Sequence, residues 1–259
     1  MFQSKRDCSG PAAIVPDERR EWGALGLWLG RGANPPSSAE TFTYRVEWRL
    51  VTGGRARLEW SATQQPQPGW QAKVHLESVG LVSKLYKVED DYLASLNRGM
   101  CAVAVQTTSS EGSRQRDAKI TFDYASKKAS YLEHDRVRNA ILAAHEIDIP
   151  PCVHDVLGGL FFLRTMNLEP GQSAAVPVSD GKKAVVAKVQ AQQREEIKVP
   201  DGDYKTIRYE AFLFDNVLYR RSAHLYVWLS DDQRKLPVQI QVRMPITVGT
   251  ITLELEKHE

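Results

Sequence analysis

From Thr41 onward apolar and polar side chains alternate with a period of two, and few folds accept that rhythm. Phe42, Tyr44, Val46, Trp48 and Leu50 fall on one side, Arg45, Glu47 and Arg49 on the other, as in a strand with one wet face. Gly53-Gly54 turns the chain, and Ala56, Leu58 and Trp60 then alternate with Arg55, Arg57 and Glu59, which predicts a hairpin. The period returns in Ala72, Val74 and Leu76 against Lys73, His75 and Glu77, and in Ile120, Phe122 and Tyr124 against Lys119, Thr121 and Asp123. Further stretches at 99–106, 129–133, 184–192, 204–214, 224–229, 237–242 and 249–256 bring the expectation to about ten to twelve strands. Turn residues separate them at Glu111-Gly112-Ser113, Asp180-Gly181, Asp201-Gly202 and Ser230-Asp231-Asp232. No βαβ rhythm appears, so consecutive strands should pair antiparallel. The fold class expected is mostly β, a curved antiparallel sheet forming a barrel or half-barrel around one buried helix.

That helix is expected at about 153–166, where Val153, Val156, Leu157, Leu160, Phe161 and Leu163 recur at helical spacing and thicken into an apolar run. Pro150-Pro151 blocks helix before it, and Pro170-Gly171 stops it afterwards. Gly158 and Gly159 in its middle cost about 1 kcal/mol each against alanine, so a strand or ligand should approach the backbone closely there. Smaller helical turns are expected at 79–88, 90–96 and 136–144. Residues 1–40 read as an N-terminal extension, a loop with a short helix over 17–30, and 41–259 as a single antiparallel β domain. A basic pair, Arg19-Arg20, precedes the apolar run that ends at Gly30, but Asp17, Glu18 and Glu21 crowd it. We read a short helix there, with a remnant export signal as the alternative and no clear signal peptide.

Composition permits such a core: 42% of the 259 residues are hydrophobic and 25% charged, outside the range of chains that stay disordered. Formal charge is +2 with the signs interleaved, so charge gives no case for nucleic acid. The densest basic stretch, Arg114-Gln115-Arg116, reads as a solvated hairpin tip. No stretch approaches the roughly 20 apolar residues of a bilayer span, so the chain is not expected to be integral to a membrane. Cys8, Cys101 and Cys152 form no disulfide framework. We read buried free thiols, with a Cys101 to Cys152 bridge as the alternative in an oxidising compartment.

The chemistry sought in the sequence is absent. His145-Glu146, Asp148, Cys152 and His154-Asp155 form the one dense cluster of metal-ligand types, but without H-E-x-x-H or C-x-x-C spacing we read no metal and no cofactor. No G-x-S-x-G elbow, dinucleotide fingerprint or phosphate loop appears. Asp231-Asp232 reads as turn capping. No catalytic residue is assigned; whether the chain is an enzyme stays open, and the missing constellation points away from it. Arg164 must find a partner on its buried helix: a strand carboxylate, the rim, or an anionic head group at the mouth of an apolar cavity. Together with Trp48, Trp60 and Trp228, taken as inward aromatics with Tyr44, it forms the candidate ligand-binding set.

Several motifs carry a resemblance: Tyr44-x-Val46-x-Trp48, Gly54-x-Ala56, Leu85-Tyr86-x-Val88, Asp155-Val156-Leu157 followed by Leu163-Arg164, and Val199-Pro200-x-Gly202-x-Tyr204-Lys205-Thr206. The most specific is Trp228-Leu229-Ser230-Asp231-Asp232-x-Arg234-x-Leu236-Pro237-Val238. Over about residues 41 to 256 the chain resembles the bacterial family called domain of unknown function 3108. The resemblance implies an exported or envelope-associated protein with a curved antiparallel sheet, a periplasmic or cell-envelope location, and no assigned activity. The function expected is that of a non-catalytic envelope protein binding a lipid or other apolar small molecule in the hollow of its sheet. A structural or adaptor domain docking an envelope protein partner is the alternative, and an envelope hydrolase a remote one.

Overall fold

The computed structural model describes residues 39–49, 51–64, 67–247 and 249–259. The first half holds β1 (Glu40–Trp48), β2 (Val51–Thr63), β3 (Gly69–Ser78), α1 (Gly80–Leu85), β4 (Val88–Asn97), β5 (Ala102–Glu111), β6 (Arg114–Asp123), β7 (Lys128–Asp135) and β8 (Ala140–Asp148). After α2 (Val156–Arg164) come β9 (Ser173–Ser179), β10 (Ala184–Val199), β11 (Gly202–Ala211), β12 (His224–Ser230), β13 (Pro237–Arg243) and β14 (Thr250–His258). All fourteen strands form one sheet in which each pairs with its sequence neighbours, and β1 pairs antiparallel with β14. The meander is therefore circular except where the chain leaves β8 for α2, and among the described residues β8 and β9 are its edges.

Several expectations need correction. Among the described residues the strands number fourteen, not ten to twelve, and the sheet stays open instead of closing into a barrel. Among the missed strands, the 90–96 segment is part of β4 and 136–144 is a turn entering β8. Edge strand β8 is wet on both faces over most of its length, so it shows no alternation, and edge strand β9 carries Pro177, which reads as a breaker. The helix is shorter than 153–166 because Val153 and His154 are extended: Val153 O accepts from Ala102 N at 2.8 Å, and His154 bridges Val178 of β9. Cys101 and Cys152 are joined in a disulfide, not free thiols, with Cα atoms 5.1 Å apart. Cys8 and the 17–30 helix lie outside the described residues.

The period-two rhythm sets the core. Phe42, Tyr44, Ala56, Leu58 and Trp60 all turn to the concave side and are buried. Asp155 starts α2 by accepting from Leu157 N and Gly158 N at 3.0 and 3.1 Å. The helix lies in the hollow with one buried side chain in each of two apolar clusters, while Leu160 and Phe162 pack against both. Phe161 stacks on Trp60 at 4.0 Å between centroids, and Leu163 packs with Ile207, Tyr209, Val227 and Leu229. Gly158 is needed here: a Cβ would stand 2.5 Å from Leu96 Cδ2 and 2.6 Å from Asp155 Oδ1.

Candidate functional site

The cross-strand register assembles a cleft of about 520 Å³ between the concave faces of β4–β7, the first turn of α2 and the β9–β10 turn. Its depth is apolar: Val105, Ile120 and Tyr131 stand in one row across β5, β6 and β7. The next row outward is mixed, Tyr92, Thr107, Ala118 and Glu133. Beyond it come Ser109 and Arg116, then Glu111 and Arg114 at the β5–β6 turn. Val156, Ser179, Asp180, Lys182 and Tyr219 make the facing wall. Polarity thus rises steadily from floor to mouth, which suits a molecule with an apolar body and a charged head.

Charges at the mouth are tied together through Glu133. It pairs with Arg116 at 2.9 Å and Lys182 at 3.4 Å, and accepts from the Tyr131 hydroxyl at 2.9 Å. Burial would raise its carboxyl, but these three partners outweigh burial and hold it below the usual carboxylate range. Lys182 also lies 4.4 Å from the centroid of the Tyr131 ring. In the mixed row the Tyr92 hydroxyl donates to Asp155 Oδ2 at 2.9 Å. Burial raises the Asp155 carboxyl and, with that neighbour, the Tyr92 phenol; burial pushes the Tyr219 phenol up to about 12. Asp155 Oδ1 has no hydrogen-bond partner among the described residues.

None of the four residues singled out from sequence lines this cleft. Trp60 is fully buried between Phe161 and Trp70. Arg164 lies between the Phe42 and Phe161 rings, 5.3 Å from each centroid, and gives Nη1 and Nη2 to Glu40 and Nε and Nη2 to the carbonyls of Lys235 and Arg234. Trp48 is 44% exposed at the end of β1. Trp228 is not inward: it alternates with Val227 and Leu229, which face the hollow, so it lies on the convex face, donating Nε1 to Glu195 at 2.8 Å. Arg114 and Gln115 are exposed beside the β5–β6 turn, as expected of a solvated hairpin tip, and Arg116 next to them lines the cleft.

The cluster His145 to Asp155 is dispersed. Glu146 and Asp148 pair with Lys128, His154 Nδ1 bonds the Met100 carbonyl at 2.8 Å, and Asp155 caps α2. Asp232 Oδ1 accepts from Arg234 N and Ser230 Oγ, while Asp231 pairs with Arg194. A second recess of about 320 Å³ on the convex face is polar, and its His75 and Arg57 already bond Asp91 and Glu59 at 2.8 and 2.7 Å.

An open, barrel-like β protein with a helix in its hollow is the class this architecture defines. The chain belongs to the family described as Protein of unknown function (DUF3108), which matches residues 43–256. The beta-barrel-like protein of domain of unknown function DUF1849 from Brucella abortus has a TM-score of 0.53 at 6% identity, covering 85% of this chain and 97% of that one. That likeness shows a shared fold alone. A Bacteroides fragilis protein with a YmcC-like fold scores 0.37 at 9% identity, covering 89% and 100%. A DUF1089 family protein from Pseudomonas aeruginosa scores 0.32 at 11% identity, covering 82% and 92%. Comparison with curated protein sequences finds no match. No helix among the described residues is long and apolar enough to cross a membrane.

Proposed function

We propose that this chain is a non-catalytic envelope protein that holds an amphipathic ligand, a lipid or other long apolar molecule with an anionic head, between α2 and β4–β7. The observation that carries this is the polarity gradient of the cleft, from Val105, Ile120 and Tyr131 at the floor to the charged mouth. There Arg116 and Lys182 pair with Glu133 beside Glu111 and Asp180, and Arg114 has no ion pair among the described residues and is left for an anionic head. Its volume lies within the range of about 300–1,000 Å³ usual for small-molecule sites. An extracytoplasmic location is supported by the disulfide, since such bridges persist in oxidising compartments. Arg164, Trp48, Trp60 and Trp228 then serve as surrounding structure, and the ligand is assigned to the cleft residues.

The test is native mass spectrometry and organic extraction of the purified protein, with displacement of a fluorescent fatty acid. Ala118→Trp would fill the middle of the cleft; it is expected to release the co-purifying amphiphile and abolish probe binding. An empty wild-type protein, or equal probe binding by the variant, defeats the proposal. A second reading is favoured by one observation: β8, an edge strand among the described residues, exposes Ile141 and Leu142, an opening for strand addition by an envelope partner. Ile141→Lys should abolish capture of that partner while leaving probe binding intact.

A further inference from the structure

We infer that the rim at the mouth of the cleft docks onto an anionic lipid surface, so that the cleft opens toward the bilayer that supplies its ligand. The second clause rests on the function proposed above; the first stands without it.

Because the strands run antiparallel, their connections fall alternately at two ends of the sheet. Among the described residues seven lie at the mouth: 49, 79–87, 112–113, 136–139, 180–183, 212–223 and 244–247 with 249. They carry nine lysines and arginines against two aspartates, Asp180 and Asp215. The connections at the other end, with Glu259, carry five basic residues against six acidic. A chain of net charge +2 has thus gathered its excess on one rim. Strands of nine or ten residues separate the ends by about 30 Å along the strand, several Debye lengths at physiological salt, so an approaching surface feels the rim alone. Lys84, Arg138, Arg220 and Arg221 are exposed there with no ion pair among the described residues, free to meet lipid phosphates.

Apolar exposure follows the same asymmetry. Of thirteen large apolar side chains exposed among the described residues, six lie in these seven connections and Trp48 and Val51 flank the first. None lies in a connection at the other end. Helix α1 buries none of its own residues yet presents Leu81 and Leu85, 70% and 79% exposed, and Ile246 is 95% exposed. Packing among the described residues gives no reason for leucines there. Insertion into a headgroup layer does, and Trp48 and Tyr86 are residues of the membrane–water interface. The combination of cationic and apolar side chains selects a lipid surface over a soluble acidic partner.

The experiment is co-sedimentation of the whole chain with vesicles of phosphatidylcholine alone and with phosphatidylglycerol added, at low and high salt. Binding is expected to need the anionic lipid and to weaken with salt. Lys84→Glu, Arg138→Glu and Arg220→Glu together should lower partitioning roughly a hundredfold, at about a factor of five per basic residue. Leu81→Ser with Ile246→Ser should lower it further, whereas Arg98→Glu with Lys127→Glu at the other end should leave it unchanged. Equal binding to both vesicle types, a triple variant that binds like wild type, or a concentration-dependent dimer formed through the rim overturns the inference. Ala118→Trp separates the two readings, since it blocks the cleft and should leave vesicle binding intact.

Discussion

Arg164 meets Glu40 through both terminal nitrogens, at 2.7 and 2.9 Å, joining the last turn of α2 to the first residue of β1 across 124 positions of sequence. The guanidinium is 4% exposed and also holds the carbonyls of Arg234 and Lys235. Those carbonyls belong to the turn shaped by Ser230 and Asp232, and Tyr44 donates to Pro237 O at 2.7 Å just beyond it. Tyr44, Arg164 and the Ser230–Pro237 segment thus converge on a structural clamp at the end opposite the cleft mouth, whereas Trp48, Gly54 and Leu85-Tyr86 of the other motifs lie at the mouth end. Removing one partner of a buried ion pair strands the other, so Arg164→Ala should cost about 3–5 kcal/mol in urea denaturation. Glu40→Gln, which keeps an acceptor, should cost less. A loss below about 1 kcal/mol for Arg164→Ala would mean that water already reaches the pair.

Gly158→Ala tests the packing of α2. Helix propensity alone would gain about 1 kcal/mol from the change. The new methyl would stand 2.5 Å from Leu96 Cδ2 and 2.6 Å from Asp155 Oδ1, and overpacking costs about 1–3 kcal/mol. The expected result is net destabilisation in chemical denaturation, with Leu96→Ala in the same chain partly relieving it through positive coupling. Purely additive effects would place the clash elsewhere.

How far the sequence can be read depends on how local each signal is. Strands such as β1, β2 and β6 are legible because one face is wet and the other dry. β4 is less so: Leu93 falls among its outward positions and blurs the alternation. The cleft was illegible for a different reason. Tyr92, Thr107, Ala118 and Glu133 lie on four strands, and only register brings them into one row. Arg116 reads as solvated until β7 is placed beside it. Trp228 looks inward because it sits in an unbroken apolar run, Val227-Trp228-Leu229, which does not say which face is the dry one until Ile207 and Tyr209 of β11 are set beside Leu229 and Val227. Arg164 was conspicuous for good physical cause, since a cation in an apolar run must have a partner, but the pattern does not name Glu40.

The Cys101–Cys152 bridge closes a loop spanning 51 positions and ties the β4–β5 turn to the segment leading into α2. Constraint of the unfolded chain by a loop of that size is worth about 4 kcal/mol in the entropic account. Cys101→Ser with Cys152→Ser should lower unfolding stability by that order, and the wild type should show the same loss under reducing conditions. Coincident curves with and without reductant would mean that the bridge does not form in the purified protein.

His154 makes stability depend on pH with a sign that can be worked out. It is buried, stacked on Phe162 at 4.2 Å between centroids, with Nδ1 donating to Met100 O. Burial pushes its pKa down to about 4, and the Met100 bond only partly opposes this; in the unfolded chain it titrates near 6.5. Between those values the unfolded chain takes up a proton that the folded one refuses. The contribution is therefore complete above about pH 6.5 and is lost as pH falls toward 4, by about 3 kcal/mol in all. Asp155 opposes this slope, because burial raises its carboxyl and the folded state then keeps a proton longer than the unfolded one. Subtracting the profile of His154→Asn, which retains a donor for Met100 O, removes the Asp155 contribution. The difference should rise from pH 4 to 6.5 and level off above it. Parallel profiles over that interval would mean that the ring takes up its proton in the folded state as readily as in the unfolded one.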